Sequence, residues 1–203
     1  MKVAIVDYGM GNLHSLEGAL NFLECNDICI TNDINVLNNS DKIILPGVGN
    51  FNKAMIEINN LGLYKTLNDL IVLKKKPILG ICLGMQLLGL SSTEGAFNRG
   101  LEIVSGKVEK FTSNKIRVPH VGFNQVNPNT SSRLYRNLYN RPDFYFTHSY
   151  RMTGSNVLGT SYTNYGDRFI ASYEFENVAG VQFHPELSQK NGLLLLKNFI
   201  ELF

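Results

Sequence analysis

The run Pro77-Ile78-Leu79-Gly80-Ile81-Cys82-Leu83-Gly84-Met85-Gln86 decides the reading of this chain. Ile78 to Ile81 reads as a buried strand, and the apolar stretch from Met85 to Leu90 as a helix. Between them, Gly80-Ile81-Cys82-Leu83-Gly84 has the form of a nucleophile elbow, a sharp strand-to-helix turn that presents a reactive side chain. Glycines on both sides let the backbone bend without a Cβ in the way. A helix beginning behind Cys82 directs its N-terminal partial positive charge at the sulfur. A cysteine merely packed in a tight core turn would carry the same pattern, so other segments have to decide.

Working outward, strand and helix alternate through the first half. Val3 to Val6, Ile28 to Ile30 and Ile43 to Leu45 are short apolar strands. Leu13 to Leu23 has helical spacing, and so does the passage through Leu63, Leu67, Leu70 and Leu73. Continuously apolar strands between helices indicate a parallel sheet covered on both faces. The second half changes character. Val104 to Phe111, Asp143 to Phe146, Val157 to Tyr162, Phe169 to Phe175 and Val178 to Phe183 are β-like runs punctuated by Asn, Ser, Gly and Pro. They read as an antiparallel extension of the central sheet, with a return to the core at His184. Gly192 to Phe203 closes the chain as an amphipathic helix. The expected architecture is α/β: three layers around a mainly parallel sheet, in one unit spanning 1–203 with no linker.

Composition narrows the class. The 203 residues suit one well-buried α/β unit, and 44% hydrophobic with 18% charged residues is ordinary for a globular protein. A net charge of +2 with Lys74-Lys75-Lys76 as the one basic cluster argues against a nucleic-acid surface, and that cluster reads as a solvated helix end. No membrane-spanning run and no signal peptide is evident. Three cysteines, an odd number, argue for a reducing compartment, hence the cytoplasm. Cys25 and Cys29 have no partners at zinc-ligand spacing and read as small core or near-surface residues.

Two further segments favour chemistry at Cys82. Leu45-Pro46-Gly47-Val48-Gly49 follows a strand and could bring a bare N–H toward a developing oxyanion, with Leu83 N–H as the second donor. A tight strand-to-helix turn is its plainer reading. His184-Pro185-Glu186 supplies an imidazole and a carboxylate two residues on, the pair that cysteine chemistry needs. Other candidates are weaker. Gly9-Met10-Gly11 lacks the third glycine of a dinucleotide loop, having His14 there, and His120 and His148 show no metal-ligand spacing, which favours structural or backbone roles.

Together with Asp7-Tyr8-Gly9-Met10-Gly11-Asn12 and Tyr145-Phe146-Thr147-His148-Ser149-Tyr150, these motifs resemble those of class I (triad) glutamine amidotransferases. More narrowly, the chain is similar to the glutaminase subunits of imidazole glycerol phosphate synthases. The resemblance implies a flavodoxin-like fold with Cys82, His184 and Glu186 as triad. It implies an oxyanion hole at Gly47, Val48, Gly49 and Leu83, and glutamine held by Gln86, Glu94 and the backbone of His148, Ser149 and Tyr150. Asn12, His120, Phe123 and Tyr145 match positions near a partner interface or an ammonia exit. The implied partner is a (βα)8-barrel cyclase that consumes the ammonia to make imidazole glycerol phosphate and an aminoimidazole carboxamide ribonucleotide; no cofactor or metal is implied. The chain itself offers no site for a phosphorylated acceptor, and ammonia must reach its acceptor unhydrated to stay nucleophilic. Phe123 stands where tryptophan is usual, Thr147 where valine is, and Leu187 where lysine is common. A paralogous group that serves amidine formation on bacterial surface sugars is the alternative, and a catalytically silent regulatory subunit or a cysteine hydrolase of the same architecture are the alternatives of other classes.

Overall fold

The first half builds the sheet that carries the elbow. The computed structural model describes residues 1–112 and 116–203. In chain order it has β1 (Val3–Val6), α1 (Leu13–Phe22), β2 (Ile28–Thr31), α2 (Ile34–Asn38), β3 (Lys42–Leu45), α3 (Phe51–Asn60) and α4 (Leu63–Asn68). A π-helical turn, Asp69–Leu73, extends α4 before β4 (Ile78–Ile81) and α5 (Leu83–Leu87). There follow β5 (Ser91–Ser92), β6 (Asn98–Arg99), β7 (Lys107–Lys110), β8 (His120–Gln125), β9 (Asp143–His148) and β10 (Tyr150–Thr153). The chain ends with β11 (Ser161–Tyr165), β12 (Asp167–Phe175), β13 (Val178–Val181), a 3-10 turn at Pro185–Leu187 and α6 (Gln189–Leu202).

The central sheet has the order β11-β12-β13-β4-β3-β1-β2. β13, β4, β3, β1 and β2 run parallel, while β12 and β11 add to that edge antiparallel. The strand period of two divides the core cleanly. Val3, Ile5, Ile44 and Leu79 belong to the cluster with Leu16 and Leu20 of α1 and Leu195 and Phe199 of α6. Ala4, Val6, Ile43 and Ile78 belong to the other, with Phe51 and Ile58 of α3 and Leu63 and Leu67 of α4. This is the expected three-layer α/β fold with an antiparallel extension.

The second half departs from the expectation in one respect. Only β11 and β12 extend the central sheet; β10-β7-β5-β6 form a separate sheet and β8-β9 a hairpin. The reason lies in the strands: Lys107–Lys110 buries one residue of four, Val108, and so cannot sit in a sheet covered on both faces. α2, α3 and β8 had no counterpart in the sequence reading. α3 is held by its buried stripe of Phe51, Ala54, Met55 and Ile58 and by Asn50, whose Oδ1 accepts the Lys53 N–H at 3.0 Å. The lysine cluster is only partly a solvated helix end. Lys76 Nζ donates to the carbonyls of Leu37, Asn38 and Ser40, capping α2, while Lys75 pairs with Glu176 at 2.8 Å. Among the described residues, no helix is long and apolar enough to cross a membrane.

Candidate active site

Cys82 sits where β4 breaks into α5, at φ 52° and ψ −106°. A non-glycine residue there carries about 1–3 kcal/mol of backbone strain. Three features hold it. Cys82 N–H donates to Val181 O at 2.7 Å, which prolongs the β4–β13 pairing, and Gln86 N–H donates to Cys82 O at 3.2 Å to open α5. At Gly84 a Cβ would lie 1.8 Å from Leu45 O, so only glycine lets α5 lie this close to β3. The expected elbow is formed, with a helix that starts two residues earlier than its apolar pattern indicated.

The histidine is delivered by the parallel neighbour of the elbow strand. His184 follows β13, and its N–H donates to Tyr145 O at 2.8 Å on β9. Ser188 clamps this loop: its hydroxyl donates to His184 O at 2.6 Å and accepts the Tyr145 N–H at 2.9 Å. The ring nitrogen Nδ1 lies 2.8 Å from Glu186 Oε1. A carboxylate only accepts, so Nδ1 carries the proton and Nε2 is left as the working nitrogen. Nε2 is buried with no hydrogen-bond partner among the described residues. Burial pushes the imidazolium down, but interaction with Cys82 and then with Glu186 pushes it up, and the net is upward. Cys82 Sγ is also met by Gln182 Nε2 at 3.6 Å and lies 3.9 Å from Thr147 O.

A cavity of about 200 Å³ opens beside the sulfur. Val48, Gly49, Leu83, Gln86, Glu94, His148, Ser149 and Tyr150 line it together with Cys82, and Pro119 and Thr147 complete the wall. Gln86 spends both amide protons, on Tyr150 O and on Gln182 Oε1, each at 2.9 Å, so its own oxygen remains an acceptor. Glu94 Oε2 accepts the Phe51 N–H at 2.7 Å at the start of α3, which anchors the carboxylate at the cavity.

The loop expected to form the oxyanion hole is in place but engaged. Leu83 N–H donates to Gly47 O at 3.3 Å, so that donor faces a carbonyl rather than the cavity. Tyr8 anchors the loop, its hydroxyl donating to Pro46 O at 2.6 Å, and Gly49 takes φ +120°.

The remaining expected residues divide into surface and interior. Asn12 is exposed and caps α1, accepting the Ser15 N–H at 3.4 Å. Phe123 is 51% exposed and packs edge-on to Tyr145 at 5.6 Å. Val48 and Leu187 are exposed as well. His120, by contrast, is buried and paired with His148 across the β8–β9 register, their rings joined by a 3.1 Å hydrogen bond. Tautomers in this chain of bonds are forced. His148 Nδ1 must donate to Tyr150 O (2.8 Å), so its Nε2 accepts from His120 Nδ1, and His120 Nε2 faces the amide of Asn124 at 3.4 Å. Burial holds both rings neutral, His120 lowered to about 4 and His148 to about 3. The two histidines bond to each other, and the strand pairing that joins them was not legible in their spacing. Gln182 and Ser188 are the site residues the sequence reading passed over; a polar residue between Val181 and Phe183 in an apolar run was the available signal for Gln182.

The chain belongs to the glutamine amidotransferase class-I family, which it matches over residues 4–202. Within that family it is 43% identical over 203 residues to the imidazole glycerol phosphate synthase subunit HisH 2 of Methanococcus maripaludis, covering 98% of each chain. It is 40% identical over 202 residues to the HisH 2 subunit of Vibrio vulnificus, covering 99% of this chain and 94% of that one. The fold matches a crystal structure of a glutamine amidotransferase with a TM-score of 0.76 at 17% identity, over 100% of this chain and 98% of the other.

Proposed function

We propose that this chain is the glutaminase subunit of an imidazole glycerol phosphate synthase, releasing ammonia from glutamine for histidine biosynthesis. The observation that carries the reading is a buried His184–Glu186 pair, bonded at 2.8 Å, whose imidazole interacts with Cys82 at the wall of a cavity of about 200 Å³. Relatives that are HisH subunits along their whole length support the pathway.

Chemistry on this geometry proceeds in two halves. The Cys82 thiolate attacks the side-chain amide carbon of glutamine, and the C–N bond breaks as His184 Nε2 gives its proton to the leaving nitrogen. Ammonia departs and a glutamyl thioester remains on Cys82. His184 then takes a proton from water, the hydroxide adds to the thioester, and glutamate leaves with the sulfur restored as thiolate. Glu186 holds the ring tautomer and offsets the imidazolium charge through both halves. Glu94 and Gln86 Oε1 are acceptors suited to the substrate's α-ammonium, with the backbone of His148, Ser149 and Tyr150 along its flank. Because Gly47 O engages Leu83 N–H, the oxyanion hole requires a turn of the Gly47–Val48 peptide, exchanging a carbonyl for an N–H. A glutaminase held slow until its partner is docked and loaded follows from that arrangement.

The partner in this reading is a (βα)8-barrel cyclase, docking near Asn12 and Phe123, with His120 and Tyr145 near the interface or the ammonia exit. Residues 1–203 act as a single amidotransferase unit in the cytoplasm, as the free cysteines favour. The experiment is glutamate release by the purified chain, alone and with a ligand-loaded cyclase from the same cell. Slow release alone and faster release in the complex are expected. Activation only by a surface-sugar amidination partner would relocate the acceptor; peptide cleavage without glutamine turnover would end the reading.

A further inference from the structure

Gln182 is bonded to both the nucleophile and Gln86 of the cavity wall, and is fully buried just past the end of β13. A buried carboxamide is costly unless its donors and acceptor are bonded. Here they are spent on the site itself: Nε2 on Cys82 Sγ at 3.6 Å, Oε1 on Gln86 Nε2 at 2.9 Å. The orientation is not arbitrary. Tyr150 O is a carbonyl and only accepts, so the Gln86 group 2.9 Å from it must be the nitrogen. The second proton on that nitrogen needs an acceptor, which fixes Oε1 of Gln182 toward Gln86 and Nε2 toward the sulfur. The backbone is fixed too, Gln182 N–H donating to Ala171 O at 2.8 Å on β12.

We infer that Gln182 is a positioning residue of the glutaminase centre, holding an N–H on the Cys82 sulfur and turning the Gln86 oxygen into the substrate cavity. The inference rests on the glutaminase reading of the site. An N–H directed at the sulfur favours its anionic form, and one rigid amide couples the nucleophile to the residue that faces the substrate. Gln182 therefore acts through both neighbours without touching the reacting carbon.

Gln182→Glu separates the two tasks. The carboxylate still accepts from Gln86 but offers the sulfur no N–H. Expected results are a KM for glutamine within about twofold of the parent and a kcat lower by on the order of tenfold or more. A readout independent of glutamine is the rate of Cys82 alkylation by iodoacetamide across pH. In Gln182→Glu the alkylation profile moves to higher pH, with a rate at pH 7 reduced on the order of tenfold. Gln182→Met, of similar volume and uncharged, is the second variant should the glutamate disturb folding, and it gives the same slowing. Circular dichroism and the melting temperature establish that each variant is folded. Alkylation profiles of the folded variants that superimpose on the parent's overturn the role. A parent that is alkylated at Cys82 yet releases no glutamate with its loaded partner instead removes the glutaminase reading, so the two failures are distinct.

Discussion

His184 Nδ1 stands 2.8 Å from Glu186 Oε1, with both side chains almost wholly buried at 3% and 4% exposure. Only Pro185 separates them, and the 3-10 turn that brings them together is held by α6, which packs so closely that a Cβ on Gly192 would meet Pro185 O at 1.8 Å. Pair, turn and helix thus form one rigid unit, and the reach of the histidine is set by that unit rather than by the elbow.

Glu186→Gln tests the pair. Glutamine can still accept from Nδ1 but carries no charge, so the imidazolium loses part of what raises it. A fall in kcat of about 10²- to 10⁴-fold with little change in KM is expected. Because Glu186 pushes His184 upward, its neutralisation lowers the pH at which the imidazolium loses its proton, and the alkaline limb of the activity profile moves to lower pH. Activity profiles of the complex with its partner subunit check this; a limb that stays in place contradicts it.

Strain at Cys82 makes a stability prediction separate from activity. Cys82→Ala and Cys82→Gly both abolish glutamine use and leave ammonia-driven synthesis by the complex intact. Glycine accepts φ 52° and ψ −106° where alanine does not, so Cys82→Gly is more stable than Cys82→Ala by about 1 kcal/mol, read from urea unfolding. Equal stabilities would mean that the elbow stores no strain.

Gly84→Ala places a methyl group 1.8 Å from Leu45 O. α5 must then move off β3, taking Cys82 with it. A loss of about 3 kcal/mol or more is expected, together with slower alkylation of Cys82. Parent-like stability and alkylation in this variant would show that the close approach is dispensable.

The His120–His148 pair predicts an acid limit. Both rings are neutral when folded, lowered to about 4 and about 3, whereas the unfolded chain protonates them near pH 6.5. Below that pH the unfolded state binds more protons, so the stability the pair contributes is present above pH 6.5 and is lost as pH falls through the folded values. Unfolding midpoints should decline from pH 6.5 to 4. His120→Gln should be less stable than the parent at pH 7.5 yet lose less between pH 7.5 and 5; a decline as steep as the parent's contradicts the account.

Much of the fold was legible because its central strands are apolar on both faces: Val3–Val6, Ile78–Ile81 and Val178–Val181 are buried at every position. β8 was not, since of its six residues only His120 is buried and no apolar alternation marks it. The contact of His120 with His148 depends on that hairpin's register and was hidden with it. α3 was obscured by Asn52, Lys53, Glu57, Asn59 and Asn60, which dilute its buried stripe. At the site, side-chain identity carried Cys82, His184 and Glu186 into view. The bond from Leu83 N–H to Gly47 O belongs to the backbone, and residue types do not report which way a Gly-Val peptide faces. Gln182 looked like one more residue of a core strand until its two bonds were seen.

The most direct measurement is the intact mass of the complex's small subunit, acid-quenched during glutamine turnover and then mapped by peptide. A glutamyl adduct confined to the peptide containing Cys82, and lost when His184 is replaced by a residue that cannot protonate the leaving nitrogen, is the predicted result. Steady glutamate release with no adduct on Cys82, or with the adduct on another residue, would contradict it.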